Sequence, residues 1–223
     1  MSRKTTTTRR TGSLDRMREG RSQRRPTRER LMESALQLVG QGRGFGSLGL
    51  REVTREAGVV PTAFYRHFRD MEDLGMALVE EGGLTLRRLL REARRGDLPA
   101  EDIIRHSVNT YVAYLHANRL HMLFVAGERL GGPRPIREAI RREVAHFAED
   151  MTQDLRGLNI LPHLPRETLR MVCDLVVSTM LNAASEILDL QEIDADREAE
   201  LVAGLVDQLR LIFLGAAAWR VED

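Results

Sequence analysis

The stretch LREVTREAGVVPTAFYRHF, residues 50 to 68, has the pattern of two short helices joined by a tight turn. Gly58 lies where the first helix must end, because a left-handed turn costs glycine almost nothing and other residues roughly 1 to 2 kcal/mol. Pro61 suits the first position of the second helix, since its φ is already fixed and its missing donor would have had no partner there. The stretch therefore predicts a helix-turn-helix unit.

The second helix of this unit has one apolar face and one polar face. Phe64 and Phe68 are four residues apart, which places both on the same side of a helix. The other side carries hydrogen-bond donors and small residues: Thr62, Ala63, Arg66 and His67, with Tyr65 at the border. An exposed, donor-rich face of this kind suits a recognition helix, which lies in the major groove of DNA.

Side-chain chemistry suggests a role for each residue on this face. Thr62 and Ala63, near the helix start, can contact base edges, and Ala63 suits a thymine methyl group. Arg66 can donate two hydrogen bonds to a guanine or can hold a backbone phosphate. Arg51, on the preceding helix, is a candidate for a groove or backbone contact. We therefore predict that both helices contribute to a DNA-binding face.

The sequence resembles the TetR family of bacterial repressors through four short motifs. They are Gly44-Phe45, Arg51-Glu52-Val53, Ala57-Gly58-Val59 and Tyr65-Arg66-His67-Phe68, within a match from Thr27 to about Leu74. The string from Leu50 to Gly75 is similar to the branch of FabR-like and DesT-like regulators, which repress unsaturated fatty acid synthesis. The resemblance implies an all-α protein with an N-terminal three-helix helix-turn-helix DNA-binding domain and a C-terminal helical ligand-binding and dimerisation domain. It also implies phosphate contacts for Tyr65 and His67.

Three positions depart from the family pattern. Gly49 stands where Ser or Thr often caps the first helix of the motif, and Met71 stands where many relatives carry Lys. Each departure removes one expected phosphate contact, although a glycine cap costs the helix only a few tenths of a kcal/mol. Thr54 replaces a small Ala, and its hydroxyl is expected either to bond back to the Leu50 carbonyl or to face water.

Charge is distributed unevenly along the 223 residues. Residues 1 to 69 hold 16 Lys and Arg against 6 Asp and Glu, a formal charge of +10, whereas the whole chain carries only +1. The asymmetry predicts a basic, DNA-facing end and an acidic body. The single cysteine, Cys173, is expected to be an inert core thiol. With no apolar run of 18 residues and no signal peptide, we expect a cytoplasmic protein that does not bind a membrane.

The chain divides into three predicted segments. Residues 1 to 26 are basic, hold almost no apolar side chains and are expected to form a disordered tail, whose arginines either reach DNA or remain solvated. Residues 27 to 70 form the predicted helix-turn-helix domain, beginning with an amphipathic helix that Thr27 can cap. Residues 71 to 223 form the helical body. Its first helix starts after Asp70 and contains Gly82-Gly83, which indicate either close packing or a pivot.

The last two predicted helices, residues 166 to 190 and 196 to 219, indicate a homodimer. The final helix has more apolar residues than one core requires, on two sides: Leu201, Leu205 and Ile212, with Val202, Val206, Leu209 and Phe213. Small residues at Ala183, Ala184, Gly204 and Gly215 allow helices to approach closely. We expect these helices to pair with their copies in a four-helix seam, which gives two recognition helices for a palindromic operator.

Apolar residues of the body form either a packed core or an effector cavity. The candidates for lining a cavity are Tyr111, Leu115, Phe124, Phe147, Met151, Met171, Val176 and Met180. Resemblance to the fatty acid branch implies a long-chain acyl thioester as effector, bound as acyl-CoA or on acyl carrier protein. Five arginines between residues 87 and 95 either complement the helix dipole or grip the phosphates of coenzyme A. The rival effector class is hydrophobic drugs, as expected for a repressor of multidrug efflux.

Enzyme functions are not supported by any motif. The sequence has no P-loop, dinucleotide fingerprint, nucleophile elbow or HExxH motif, so neither catalysis nor a cofactor is expected. His116 and His121, with Glu128 nearby, are the only metal-site candidates, and they lie across a predicted helix junction. We therefore expect no metal. An interaction scaffold remains as an alternative if the basic end does not bind DNA.

Overall fold

The computed structural model describes residues 25–95, 100–190 and 195–220, and every regular element in these ranges is helical. The predicted all-α fold is confirmed. The predicted tail lies outside the described residues except for Arg25 and Pro26. In chain order the α-helices are α1 (Thr27–Gly40), α2 (Leu50–Glu56), α3 (Pro61–Phe64), α4 (Met71–Arg95), α5 (Ala100–Ala117), α6 (Arg119–Gly131), α7 (Arg134–Gly157), α8 (Arg166–Asp189) and α9 (Ala195–Ala218). A short 3₁₀ turn, Phe45–Ser47, lies between α1 and α2.

Helices α1 to α3 pack around a small apolar core, and we call them the head. Leu31, Val53 and Phe64 are fully buried in it. Gly58 has φ +62°, as expected for the residue that ends α2, and Pro61 is the first residue of α3. The expected cap at Thr27 is wrong, because Pro26 occupies the cap position and makes no side-chain bond.

The hydroxyl of Thr54 also differs from expectation. Thr54 is almost fully buried, and its Oγ1 donates to the carbonyl of Arg51 at 3.1 Å, not to that of Leu50 or to water. A buried hydroxyl needs an acceptor, and the carbonyl three residues back is within reach of a threonine in a helix. Thr54 therefore contributes to the head core with its polar atom satisfied.

Helices α4 to α9 form the body. Helix α4 packs along α5 and α7, and α8 lies between α7 and α9. Cys173 is fully buried, as expected, and burial raises the pKa of its thiol. Phe124 of α6 belongs to the core of the head, where its ring meets the Phe45 ring edge-on at a centroid distance of 5.2 Å. The apolar core of the head thus extends into the body.

An outer face of α8 and α9 exposes large apolar side chains. Met171 and Leu175 lie on α8, and Leu211 and Leu214, each about two-thirds exposed, lie on α9. Open space surrounds Gly204 and Gly215 on α9. The predicted surplus of apolar surface is therefore present, but in α9 it lies at Leu211 and Leu214, whereas Leu205, Val206 and Leu209 are buried.

The same two helices are long and apolar enough to cross a membrane by length and composition. This is weak evidence, because the core helices of soluble proteins pass the same test. We call the surface formed by Met171, Leu175, Leu211 and Leu214 the outer face.

Candidate DNA-binding face and effector cavities

The polar side of the turn-helix unit faces outward. Phe64 and Phe68 are buried as predicted, while Tyr65 is 64% exposed. None of the residues predicted to contact DNA is buried. Ala63 is half-buried, and the other five are exposed: Arg51, Thr62, Tyr65, Arg66 and His67. Tyr65 is mostly exposed, and its ring meets the buried Phe64 ring edge-on at a centroid distance of 5.8 Å.

Two side chains of α1 hold this unit in place. A guanidinium nitrogen of Arg30 donates to the carbonyls of Ala57 and Gly58, the latter at 3.2 Å. The guanidinium of Arg28 lies 5.2 Å from the centre of the Phe68 ring and also pairs with Glu81 of α4. These arginines fix the turn against α1 and tie α1 to the body. Sequence reasoning missed both, since their partners are distant in the chain.

The junction from the head to α4 is closed by hydrogen bonds. The Asp70 carboxylate accepts from the backbone N–H of Asp73 at 2.8 Å, as expected for a residue that caps α4. Asp73 in turn accepts from the backbone N–H of Arg69 at 2.9 Å and from its guanidinium, and this side-chain bond lowers the pKa of Asp73. These bonds hold the first turn of α4 to the residues that follow α3.

Two apolar cavities lie inside the body. The near cavity, closer to the head, has a volume of about 90 Å³ and is lined by residues of α4 to α8 that include Val79, Gly82, Leu86, Tyr111, Tyr114, His121, Val144, Phe147 and Met180. The far cavity has a volume of about 240 Å³ and is lined by residues that include Arg94, Ile104, Ser107, Met151, Leu155, Val176, Met180 and Phe213. Leu90 and Met180 line both.

Five of the predicted ligand-binding residues line a cavity. Tyr111 and Phe147 line the near one, Met151 and Val176 the far one, and Met180 both. The other three are corrections. Leu115 and Phe124 are fully buried in the core and line neither cavity, and Met171 is 62% exposed on the outer face. Apolar residues at helical spacing identify a buried stripe, but they do not show which members border a void.

Most polar groups of the near cavity have their own partners. The Tyr114 hydroxyl donates to the carbonyl of Gly82 at 3.1 Å, and burial raises the pKa of Tyr114 to about 12. His121 Nε2 donates to the carbonyl of Leu78 at 2.8 Å, and burial lowers the pKa of His121. Glu143 lies 3.0 Å from a guanidinium nitrogen of Arg87. Tyr114 and His121 are therefore neutral near pH 7.

The glycine pair of α4 lies against this cavity. A Cβ added at Gly82 would overlap the ring of His121, and one added at Gly83 would overlap the carboxylate of Glu143. Of the two interpretations of these glycines, the structure favours close packing over a pivot. Sequence reasoning had not connected either glycine with the effector site.

The arginines near the end of α4 do not offer a free phosphate site. Three of them pair with carboxylates of α7: Arg87 with Glu143 (3.0 Å), Arg91 with Asp150 (2.8 Å) and Arg94 with Asp154 (2.6 Å). Three positive charges thus meet three negative ones, which argues against the second of the two interpretations, a grip on coenzyme A by these side chains. Arg88 is exposed, and the side chain of Arg95 is outside the described residues.

The three metal-site candidates lie apart in separate interactions. His116 Nε2 is 2.8 Å from Glu198, His121 bonds to Leu78, and Glu128 accepts the backbone N–H of Phe45 at 2.8 Å. No group of three or more His, Cys, Asp or Glu side chains able to hold a metal occurs in the described part of the chain. The Glu128 bond instead joins the body to the head.

Comparison with protein families matches both halves of this architecture. A model for bacterial regulatory proteins of the tetR family matches residues 31–78, and a model for the tetracyclin repressor-like C-terminal domain matches residues 100–211. The chain belongs to the TetR family. TetR-family proteins are DNA-binding regulators and not enzymes, act as dimers and bind small-molecule effectors. TetR-family transcription factors are soluble cytoplasmic proteins.

Solved structures share the fold over most of their length. The fatty acid degradation regulator FadR from Bacillus halodurans is 17% identical, with a TM-score of 0.67, over 88% of this chain and 99% of that one. FadR from Bacillus subtilis, solved with stearoyl-CoA, is 14% identical, with a TM-score of 0.62, over 85% and 97%. NemR of E. coli in its reduced form is 20% identical, with a TM-score of 0.57, over 84% and 97%. At these identities the likeness concerns the fold alone.

Proposed function

We propose that this TetR-family regulator is a repressor of fatty acid or lipid metabolism genes, controlled by a long-chain acyl thioester on coenzyme A or acyl carrier protein. The observation that carries the proposal is the pair of apolar cavities placed end to end along α4 and α7. A linear hydrocarbon fits an elongated apolar space better than a compact ligand does. FadR from Bacillus subtilis, which shares the fold, was solved with stearoyl-CoA, and this supports the proposed effector class.

DNA binding is assigned to the exposed side of α3 with its neighbours. Thr62 and Ala63 contact base edges, and Arg66 binds a guanine or a phosphate. Tyr65 and His67 bind phosphates, and Arg51 adds a contact from α2. The exposure of the Tyr65 ring and of Arg66 supports this assignment, because neither side chain has a role in the head core.

The outer face is the proposed homodimer interface. Its large apolar side chains would otherwise remain in water, and the open space around Gly204 and Gly215 allows a second copy to approach closely. A two-fold dimer presents two recognition helices, which matches a palindromic operator with half-sites about one helical turn apart.

Control arises if the effector favours one of two arrangements of the dimer. Ligand in the near cavity presses on α4 and α6, and α4 is capped by Asp70 at the edge of the head. A change in the α4 angle alters the separation of the two heads, and only one separation fits successive major grooves.

A second candidate effector is a cationic hydrophobic drug, as in control of drug efflux. Glu143 favours it, because its carboxylate lines an otherwise apolar cavity, where it could meet a cationic group. Its ion pair with Arg87 already compensates that charge, so the acyl effector remains the better supported of the two.

Two measurements test the proposal. A salt-titrated gel shift with the chain's own upstream DNA should show affinity that falls steeply with salt but keeps its sequence preference. The triple variant Thr62→Ala, Arg66→Ala, His67→Ala should lose this preference while remaining folded and dimeric. Unchanged operator occupancy in that variant would refute the DNA-binding assignment.

Thermal unfolding with ligands then separates the effector classes. A ligand at a hundred times its Kd stabilises the native protein by about 2.7 kcal/mol, so the midpoint rises measurably. Palmitoyl-CoA should raise the midpoint and release or strengthen operator binding, whereas cationic dyes should not. The opposite pattern would favour the efflux function.

A further inference from the structure

We propose that the near and far cavities are one ligand tunnel, divided in this structure by Leu90 and Met180, in which Met180 makes affinity depend on chain length and Ser107 binds the polar end of the ligand. This inference rests on the proposed acyl effector. It adds the direction in which the chain lies and the residues that select its length.

The continuity of the tunnel follows from the residues that line it. Leu90 and Met180 are the two residues that the linings of both cavities share. Leu90 is held on α4 in the centre of the body core, whereas methionine has three rotatable bonds and adapts to irregular spaces. Rotation of the Met180 side chain would therefore join the cavities without movement of the backbone.

The length of the joined space can be read from two helices independently. Lining residues run from Val79 to Arg94 on α4 and from Ile140 to Leu155 on α7, and the two ends are fifteen residues apart in each case. At a rise of about 1.5 Å per residue each span is about 22 Å. Carbon–carbon bonds of about 1.5 Å at about 111° advance an extended chain by about 1.25 Å per carbon, so the tunnel holds roughly sixteen to eighteen carbons.

The polar end of the ligand is placed in the far cavity by Ser107. The Ser107 hydroxyl is buried there and has no hydrogen-bond partner within the described ranges. A buried hydroxyl without a partner is costly, and a carbonyl oxygen in the cavity would satisfy it. Arg94, whose guanidinium pairs with Asp154 at 2.6 Å, lines the same cavity, so a second polar side chain lies there besides Ser107.

The near cavity suits the hydrocarbon tail. Tyr114 and His121 already donate to backbone carbonyls, and Glu143 is already paired with Arg87. A chain fixed at Ser107 has to pass Met180 before it reaches Gly82 and His121, beside the head. Short chains end in the far cavity, and long chains press on the helices that position the DNA-binding face.

The experiment measures Kd by calorimetry for octanoyl-, lauroyl-, palmitoyl- and stearoyl-CoA with the full-length dimer. In the wild type, affinity should rise with length by up to roughly fourfold per methylene, because each buried methylene contributes about 0.8 kcal/mol. In Met180→Trp, whose larger ring has empty space on both sides, this rise should disappear. Met180→Ala shortens the side chain that divides the tunnel, so the preference for stearoyl-CoA should increase. This variant tests the division by Met180 even if the tryptophan variant folds poorly.

Two hydroxyl deletions test the direction of the chain. Ser107→Ala should weaken all four ligands by the same factor, roughly fivefold for one neutral hydrogen bond, and should not destabilise the free protein. Tyr111→Phe removes a hydroxyl from the near cavity and should leave the Kd of octanoyl-CoA, the shortest chain, unchanged. A loss with Tyr111→Phe but not with Ser107→Ala would overturn the assigned direction.

The outcomes separate this inference from the function on which it rests. If no acyl-CoA of any length binds the wild type, the acyl effector itself is wrong. If acyl-CoAs bind the wild type but both Met180 variants keep its dependence on chain length, the effector stands and the divided tunnel is refuted.

Discussion

Gly82→Ala is predicted to destabilise the protein, although it removes a glycine from the interior of α4. Alanine is favoured over glycine by roughly 1 kcal/mol inside a helix. At this position, however, the added Cβ would overlap Cε1 and Nδ1 of His121. The imidazole must therefore leave its place, and the sign of the effect depends on what that displacement costs.

Displacement of His121 has two costs. Its Nε2–H loses the 2.8 Å bond to the Leu78 carbonyl and remains buried, which costs about 1 to 3 kcal/mol. Forcing extra volume into a packed core costs about 1 to 3 kcal/mol more. Together the two costs amount to about 2 to 6 kcal/mol. Alanine offsets roughly 1 kcal/mol of this through its higher helix propensity, so the net loss is about 1 to 5 kcal/mol. For a chain of this size each kcal/mol lowers the midpoint by about 2 to 4 °C.

Thermal and urea unfolding measure this loss, with Gly127→Ala as the matched control. Gly127 also lies inside a helix, α6, but a Cβ there meets nothing within 4 Å, so this variant should gain up to roughly 1 kcal/mol. In the His121→Ala background the obstacle is gone, and adding Gly82→Ala should no longer destabilise. A Gly82→Ala protein as stable as Gly127→Ala would refute the close packing of α4 against α6.

Three more changes test the DNA-binding face, the junction with the head and the pH response. Arg66→Ala should weaken operator binding by about 1 to 3 kcal/mol in fluorescence anisotropy while leaving the thermal midpoint almost unchanged, because this side chain is exposed; a large fall in stability would contradict its assignment. Glu128→Ala should cost about 1.5 to 3 kcal/mol in urea unfolding, since it leaves the Phe45 N–H buried without its acceptor, whereas Glu128→Gln keeps an acceptor and should lose less; equal losses would argue against this bond. Burial lowers the pKa of His121 in the folded protein below its ordinary value of 6.5. The stability that the neutral imidazole contributes should therefore be complete above pH 6.5 and be lost as the pH falls through the folded-state pKa. This part of the pH dependence of unfolding should be absent in His121→Phe.

The turn-helix unit could be predicted because its signals are local. Gly58 needs a left-handed backbone, Pro61 starts a helix, and Asp70 caps α4 through the N–H of Asp73, only three residues away. None of these features depends on a distant partner. Phe64 and Phe68 could be assigned to the buried side for the same reason, since a spacing of four residues places two side chains on one face of a helix.

Features that depend on distant partners could not be predicted in the same way. The apolar pattern of residues 166 to 190 indicates a helix, but this helix has two apolar sides: Val176 faces the body interior and Met171 is exposed. The arginines of α4 suggested a phosphate site because the sequence did not show that Glu143, Asp150 and Asp154 of α7 lie opposite them. Gly82 was ambiguous for the same reason, since the ring that requires a glycine there belongs to α6.

Helix α6 joins the near cavity to the head. His121, Met122 and Val125 on α6 border the near cavity, and Glu128, about one turn further on, holds the backbone of Phe45 in the head. A helix moves as a rigid rod over so short a distance, so a ligand that displaces the first three residues also displaces the fourth. The close packing of Gly82 against His121 makes α4 move with α6. Two helices held together in this way transmit a change in the cavity to the DNA-binding face more directly than a flexible glycine pair, which would absorb it.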